Sequence, residues 1–378
     1  MTIKARCVLV TPLNWGLGHA TRCIPVIQTL LELGHRVIIA SDGDALALLR
    51  REFPELKSFE LPGYQPHYPS GSSMVFSMAL QLPKFYAAIR KEHKQVTRLI
   101  AEEGIDAVIS DNRYGAWSDV VPCAVIIHQL NLIMPRGFKW IESLVNIFHR
   151  MLIKKFNRVW VPDMEDSMVS GRLSAGVKDS RIRFMGPLSR FKVQSKQTSS
   201  YDLVAVLSGP EPQRSVFERA LRDQLPLCGL KCLLVRGIVN NSQPVNKQGI
   251  TVVDFLSSEA LNAVLNQASV VVARSGYSTL MDMLALGKKA ILVPTPGQTE
   301  QEYLGERAME RRYAYTVNQH DVRVMDALSR LKGYTGFPVV QFQSKKVIHV
   351  INELMRLPLP VVVGIFIFSR YLIYELLG

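Results

Sequence analysis

Ala273-Arg-Ser-Gly-Tyr-Ser-Thr-Leu-Met-Asp282 joins the end of an apolar, β-branched run to the start of a helical pattern. The run before it, Ser269 to Ala273, is too short for a helix, whereas Leu280, Met283, Leu284 and Leu286 recur at helical spacing. The stretch predicts a strand, a small-residue turn and a helix. At such a helix start the unsatisfied N–H groups and the positive end of the helix dipole favour an anion, and Gly276 lets a phosphate approach the backbone. Asp282 follows roughly one and a half turns later, within reach of a ribose hydroxyl pair. On this stretch alone an ordinary Rossmann-type turn with a solvated aspartate remains an equal alternative.

The next apolar run, Ala290 to Pro294, leads into Thr295-Pro-Gly-Gln-Thr-Glu-Gln-Glu-Tyr303, whose amide and carboxylate side chains suit sugar hydroxyls. A nucleotide turn and a polyol-binding loop then sit on neighbouring strand ends. Here the chain resembles the C-terminal domain of GT-B glycosyltransferases, within the family 28 group that includes the lipid II-forming peptidoglycan N-acetylglucosaminyltransferase. Arg274-Ser-Gly-Tyr-Ser, Ala285-Leu-Gly, Leu292-Val-Pro and Gln301-Glu-Tyr carry the resemblance. It implies a backbone contact from Leu256 to the base, with Ser275, Gly276, Tyr277, Ser278 and Thr279 at the diphosphate. It further implies Asp282 at the ribose, and Gln301 and Glu302 at the donor sugar, with Gln298 beside them. The chain departs from the family pattern at Glu302, where a second Gln is usual, and at Gly305, where Asn is common; both leave the sugar undefined.

At 378 residues and 48% hydrophobic content, the chain is long enough for two α/β domains with separate cores. The net charge of +13 is spread evenly: residues 1–187 carry 23 basic and 17 acidic side chains, the remainder 22 and 15. With no basic block or tail, this excess suits an anionic substrate or an anionic membrane surface and not nucleic acid. Five cysteines at 7, 23, 123, 228 and 232 have neither disulfide nor zinc spacing and read as reduced thiols, consistent with the cytoplasm. Met1 to Val10 runs straight into a strand without the pattern of a secretory signal. Leu357 to Phe368 is apolar but shorter than the roughly 20 residues of a spanning helix and carries two early prolines. It reads as a packed terminal segment or as a monotopic foot on the inner face of the membrane.

Apolar runs at Cys7–Thr11, Arg36–Ala40, Ala107–Ser110, Cys123–Ile127 and Val159–Val161 alternate with helix-length segments. A second series follows at Leu203–Leu207, Cys232–Val235, Thr251–Val253, Val270–Ala273, Ala290–Val293 and Ala314–Val317. The alternation predicts two Rossmann-like parallel sheets, the GT-B arrangement, facing across a cleft with ligands at the C-terminal strand ends. The boundaries expected are 1–187 for an acceptor domain, 188–200 for the linker, 201–335 for a donor domain, and 336–378 for a helical segment with an apolar tail.

Thr11-Pro-Leu-Asn-Trp-Gly-Leu-Gly-His-Ala-Thr-Arg22 lacks the third glycine of a dinucleotide fingerprint. Gly16 and Gly18 instead bring backbone close to a ligand on the acceptor side and set His19 on the first helical turn. There the dipole lowers its pKa and keeps it a proton acceptor. Asp111, at the end of Val108-Ile-Ser-Asp, is the candidate partner; related GT-B enzymes acting on small molecules have such a histidine–aspartate dyad. A helix-capping role is the alternative for each. Inverting transfer needs one base and electrostatic support for the departing diphosphate, which helix amides supply without a metal. Asp42-Gly-Asp44 spells an Asp-x-Asp metal motif but is read as a turn before a helix Ala45–Arg51, with Asp44 near its N-cap. Ser208-Gly-Pro-Glu-Pro-Gln-Arg214 resembles a second phosphate-side loop that offers Ser208 and Gln213, with a solvated loop as the alternative. The basic, apolar-rich segment Gly137–Arg158 is read either as a membrane-contacting helix or as a core helix, and Tyr64–Phe85 as a loop and helix over the acceptor cleft.

The resulting expectation is an inverting, metal-independent glycosyltransferase that needs no cofactor beyond a UDP-sugar co-substrate and acts on a lipid-linked or other acceptor. A nucleotide-sugar 2-epimerase, with Glu300 and Glu302 flanking the sugar, and a non-catalytic nucleotide-sugar-binding protein are the alternatives.

Overall fold

In a computed structural model the described residues are 4–64, 80–194, 200–238, 244–247 and 249–358. The first sheet contains β1 (Cys7–Pro12), β2 (Arg36–Ser41), β3 (Ser58–Glu60), β4 (Ala107–Asp111), β5 (Cys123–Ile126), β6 (Arg158–Val161) and β7 (Ile182–Phe184). All are parallel, in the order β3-β2-β1-β4-β5-β6-β7. The second contains β8 (Tyr201–Val206), β9 (Cys232–Val235), β10 (Val245–Lys247), β11 (Ile250–Val253), β12 (Ala268–Ala273), β13 (Lys289–Leu292) and β14 (Ala314–Thr316). Its order is β10-β11-β9-β8-β12-β13-β14, and only β10 runs antiparallel among these. Strands buried on both faces, such as β1, β4 and β5, read as continuous apolar runs because helices cover each side. The strands with no counterpart in the sequence reading, β3, β7 and β10, are three-residue edge strands, too short to show a period.

The connecting helices are α1 (Leu17–Glu32), α2 (Gly43–Glu52), α3 (Leu82–Glu103), α4 (Glu142–Ile153), α5 (Gln213–Gln224), α6 (Ser258–Gln267), α7 (Tyr277–Leu286), α8 (Thr299–Glu310) and α9 (Val324–Leu331), followed by α10 (Ser344–Met355). Helix α2 starts earlier than expected, and its N-cap residue is Asp42, not Asp44. The Asp42 carboxylate is occupied by Arg113 and by Asn14 Nδ2 at 3.1 Å. Helix α10 returns to the first domain: it contacts α1, and Glu353 pairs with Arg158 (2.9 Å) and Arg183 (2.6 Å). Leu188 and Phe191, in the stretch assigned to the linker, are buried in the core, and the Leu188 N–H meets Met281 Sδ at 3.2 Å. The described start of that stretch is packed against the core.

Three expectations fall partly outside the described residues: 65–79 of the segment over the cleft, 195–199 of the linker, and the tail beyond 358. Among the described residues, no helix is long and apolar enough to cross a membrane. Helix α4 departs from a simple core helix. Leu144, Ile147, Phe148 and Met151 are more than half exposed along one face, with Trp140 81% exposed just before it, while Asn146, His149 and Ile153 turn inward.

Candidate functional site

β4 pairs with β1 in a register that sets Asp111 beside Pro12, and the Leu13 N–H is bonded to the Asp111 carbonyl at 2.9 Å. The end of β4 therefore lies against the turn that opens α1. Gly16, with φ +83°, makes that turn, and no side chain caps the helix. His19 Nδ1 stands 2.7 Å from Asp111 Oδ1. Arg22, one turn along and 2% exposed, grips both oxygens of the same carboxylate; its Nη2 also stands 2.9 Å from His19 Nδ1, a contact and not a hydrogen bond, because that nitrogen turns its proton to Asp111. Burial pushes the Asp111 carboxyl up, but Arg22 and His19 outweigh it and hold it at about 2. The carboxylate is ionised, so the Nδ1 proton faces it and Nε2 is left as the acceptor. Burial, followed by Arg22, lowers the His19 pKa below the ordinary 6.5.

On the other side, β12 and β13 are paired with Ala273 opposite Leu292, so the Arg274–Gly276 turn lies beside the loop that starts at Thr295. Gly276 is the N-cap of α7, in extended backbone and with no side chain capping the helix, which leaves first-turn N–H groups for an anion. Arg274, 1% exposed, bonds the Gln213 carbonyl (2.8 Å), Gln319 Oε1 (2.6 Å) and the carbonyls of Val293 and Pro294 (3.2 Å each). It staples three segments together. Its Nε and the hydroxyl of Thr295 are buried without partners, and both border Gly209, which follows Ser208 at φ +104°. Gln213 opens α5 and meets Gln319 through its side chain at 3.0 Å. Leu256, just past β11, is half-buried against the core.

Several side chains at the expected donor positions bond within the protein. Gln301 bonds the Thr295 N–H at 2.9 Å and also Gln298, while Glu302 accepts the Gly297 N–H at 3.2 Å, so the three shape their own loop. Ser275 Oγ donates to the Gln301 carbonyl at 2.7 Å. The Tyr277 ring is 3% exposed, stacks on His128 at 4.0 Å and donates its hydroxyl to the Pro162 carbonyl at 2.8 Å. Only its backbone faces the cradle. Asp282 accepts the Ser189 hydroxyl at 2.6 Å; burial raises its pKa to about 6, against the pull of Arg190 and Ser189.

The two sides meet. Ser278 Oγ donates to the Gly18 carbonyl at 2.8 Å, so the uncapped start of α7 lies against the His19 turn. A Cβ on Gly18 would stand 2.9 Å from that hydroxyl, so any larger residue there must displace the Ser278 side chain. Arg22 Nη1 reaches His128 Nδ1 at 3.1 Å, and His128 Nε2 reaches Glu300 Oε1, on α8, at 2.6 Å. Burial pushes the Glu300 carboxyl up, but His128, with His19 and Arg22, holds it below the usual carboxylate range. The sequence reading has neither Arg22 nor His128. The helical spacing of Arg22 from His19 was a usable signal for the first, whereas nothing local marks the second.

Residues 230–331 match the glycosyltransferase family 28 C-terminal domain. An uncharacterized glycosyltransferase of Methanosarcina acetivorans is 23% identical over 304 residues, covering 76% of this chain and 79% of the relative. Among solved structures, MurG of Acinetobacter baumannii superposes with a TM-score of 0.55 at 14% identity, covering 93% of this chain and 100% of that one. The Streptomyces sp. SF2575 glycosyltransferase SsfS6, solved in complex with thymidine diphosphate, gives 0.56 at 14% identity over 96% and 99%. With two parallel-sheet domains in the GT-B arrangement, a C-terminal half that matches the family 28 domain and relatives named as glycosyltransferases, the chain is a glycosyltransferase similar to the family 28 group.

Proposed function

We propose that the protein transfers a hexosyl or N-acetylhexosaminyl group, with inversion and without a catalytic metal, from a UDP-sugar to an acceptor hydroxyl at a membrane surface. The observation that carries this reading is the meeting of the α7 N-terminus with the His19 turn through Ser278 and Gly18. It sets a cradle for a leaving diphosphate beside an imidazole whose Nε2 is free to accept a proton. In the reaction, His19 takes the acceptor hydroxyl proton on Nε2, and the alkoxide attacks the anomeric carbon from the face opposite the nucleotide. The bond from that carbon to the diphosphate breaks, and the first-turn N–H groups of Gly276 to Thr279 receive the departing charge. Arg274 Nε, the Thr295 hydroxyl and Ser208 border a second place for phosphate oxygens at Gly209. Asp282 would exchange the Ser189 hydroxyl for those of the ribose, and Leu256 would meet the base. Gln298, Gln301 and Glu302 hold the loop to which the sugar binds.

The acceptor is assigned to a lipid surface because of the exposed apolar stripe of α4, flanked by the exposed cations Lys139, Arg150, Lys154 and Lys155. Sedimentation with anionic vesicles tests it: Leu144→Glu with Phe148→Glu should abolish co-sedimentation, and binding equal to the parent's would remove the assignment. The donor is tested by thermal shift across a panel of nucleotide sugars, followed by incubation with the stabilising donor alone. Slow release of free sugar supports the transferase, an isomerised sugar the 2-epimerase, and tight binding without turnover under any acceptor a sensor.

A further inference from the structure

His128 and Glu300 belong to different domains and stand 172 positions apart in the chain, yet their bond at 2.6 Å continues into the His19–Asp111 pair. Arginine can only donate, so the Arg22 contact at 3.1 Å makes Nδ1 of His128 an acceptor and places the ring proton on Nε2. That Nε2–H then points at the Glu300 carboxylate, which can only accept. One neutral tautomer satisfies both bonds. The ring itself is fixed by stacking on Tyr277, whose hydroxyl is tied to Pro162. His128 is 5% exposed and has no room to take another tautomer's partners from solvent. Other bonds cross between the domains, among them Arg172 N–H to Tyr303 Oη and Arg307 to the Ser167 carbonyl. The His128–Glu300 bond, in contrast, runs through Arg22 to both oxygens of Asp111 and so to the base.

Resting on the transferase reading above, we propose that His128 and Glu300 are positioning residues. They register the donor loop at the start of α8 against the Arg22–Asp111–His19 cluster, so that the base is correctly held only when the donor domain is seated. Glu300 thereby differs from Gln301 and Glu302, whose side chains are spent on their own loop.

The test uses ring 15N signals of His19 in the full chain, assigned with His19→Gln, together with consumption of the stabilising nucleotide sugar. Glu300→Ala and His128→Ala should each shift the His19 signals and lower turnover roughly 10-fold or more, while the affinity for UDP stays within about twofold. Glu300→Gln retains an acceptor oxygen and should restore both readouts, and the double variant should be no worse than either single one. Unmoved His19 signals, additive losses, failure of Glu300→Gln to rescue, or UDP affinity falling in step with turnover would each overturn the proposal. If the wild-type protein consumes no nucleotide sugar, the transferase reading fails alone, and the His19 signals still decide the coupling.

Discussion

The two walls of the cleft are built on opposite principles. On the His19 side, Asp111 and Arg22 are buried and His19 is partly so, and their polar groups are held by one another's side chains. On the α7 side the groups offered to a ligand are backbone N–H groups without a cap, and the polar side chains around them bond the loop itself. The difference matches the work proposed for each wall. A base needs one atom, in one tautomer, at one place, and fixed ionic partners supply that. A diphosphate presents many oxygens, and an array of amides at a helix start meets them without a charge of its own to desolvate.

The comparison breaks most sharply at Asp111. Asp111→Asn should lower the turnover of nucleotide sugar by roughly 10²- to 10⁴-fold by spoiling the His19 tautomer. It should also strip Arg22 of its buried partner, at a cost of about 3–5 kcal/mol in a denaturant titration. His19→Gln should match the kinetic loss without the loss of stability, and equal stability losses in both would dissolve the distinction drawn between base and anchor. On the opposite wall, Asp282→Ala should raise the donor Michaelis constant roughly tenfold or more and leave turnover at saturation within a few fold.

Where the walls touch, a smaller effect is expected. Gly18→Ala places a methyl against Ser278 Oγ and should slow turnover by about tenfold. Ser278→Ala in the same chain should recover part of the loss, since it removes the hydroxyl at 2.9 Å. No recovery would show that Gly18 serves the ligand and not the contact.

The smallest effects are those of pH. His19 titrates below 6.5, so the acid limb of turnover against pH should fall below that value. Asp282 has the opposite sign: its folded pKa, about 6, exceeds its unfolded value near 3.8, so the folded chain holds the extra proton in between. Its contribution to stability therefore declines as pH rises from about 4 to about 6 and stays low above that. Nucleotide affinity should gain a few fold as pH rises through about 6, as the carboxylate becomes a full acceptor. Asp282→Asn should flatten both trends in thermal melts and in calorimetry.

Much of this was legible along the chain because the physics involved is local. Apolar runs of buried parallel strands, glycines before a helix, and a histidine on a first turn are set by neighbours a few residues away, and β1, β4, α1 and α7 follow from them. Asp111 could be named as a partner because a strand end next to β1 has few places to go. Short edge strands and the α2 cap were missed because three residues carry no period and because Asp42 and Asp44 compete for one role. Gln301 and Glu302 read as ligand-facing because their chemistry suits a ligand, yet whether a polar group meets a ligand or its own loop is a matter of packing.

The sequence alone therefore determined the strand–turn–helix units, their pairing into two parallel sheets and the chemical types held at each turn, because these depend on short-range periodicity and backbone freedom. Only the tertiary structure decided that Arg22 clamps Asp111, that His128 carries that cluster to Glu300, and that Ser278 rests on Gly18. Those contacts join residues up to 260 positions apart, and no local pattern records which buried charge will find which partner once two domains close on one another.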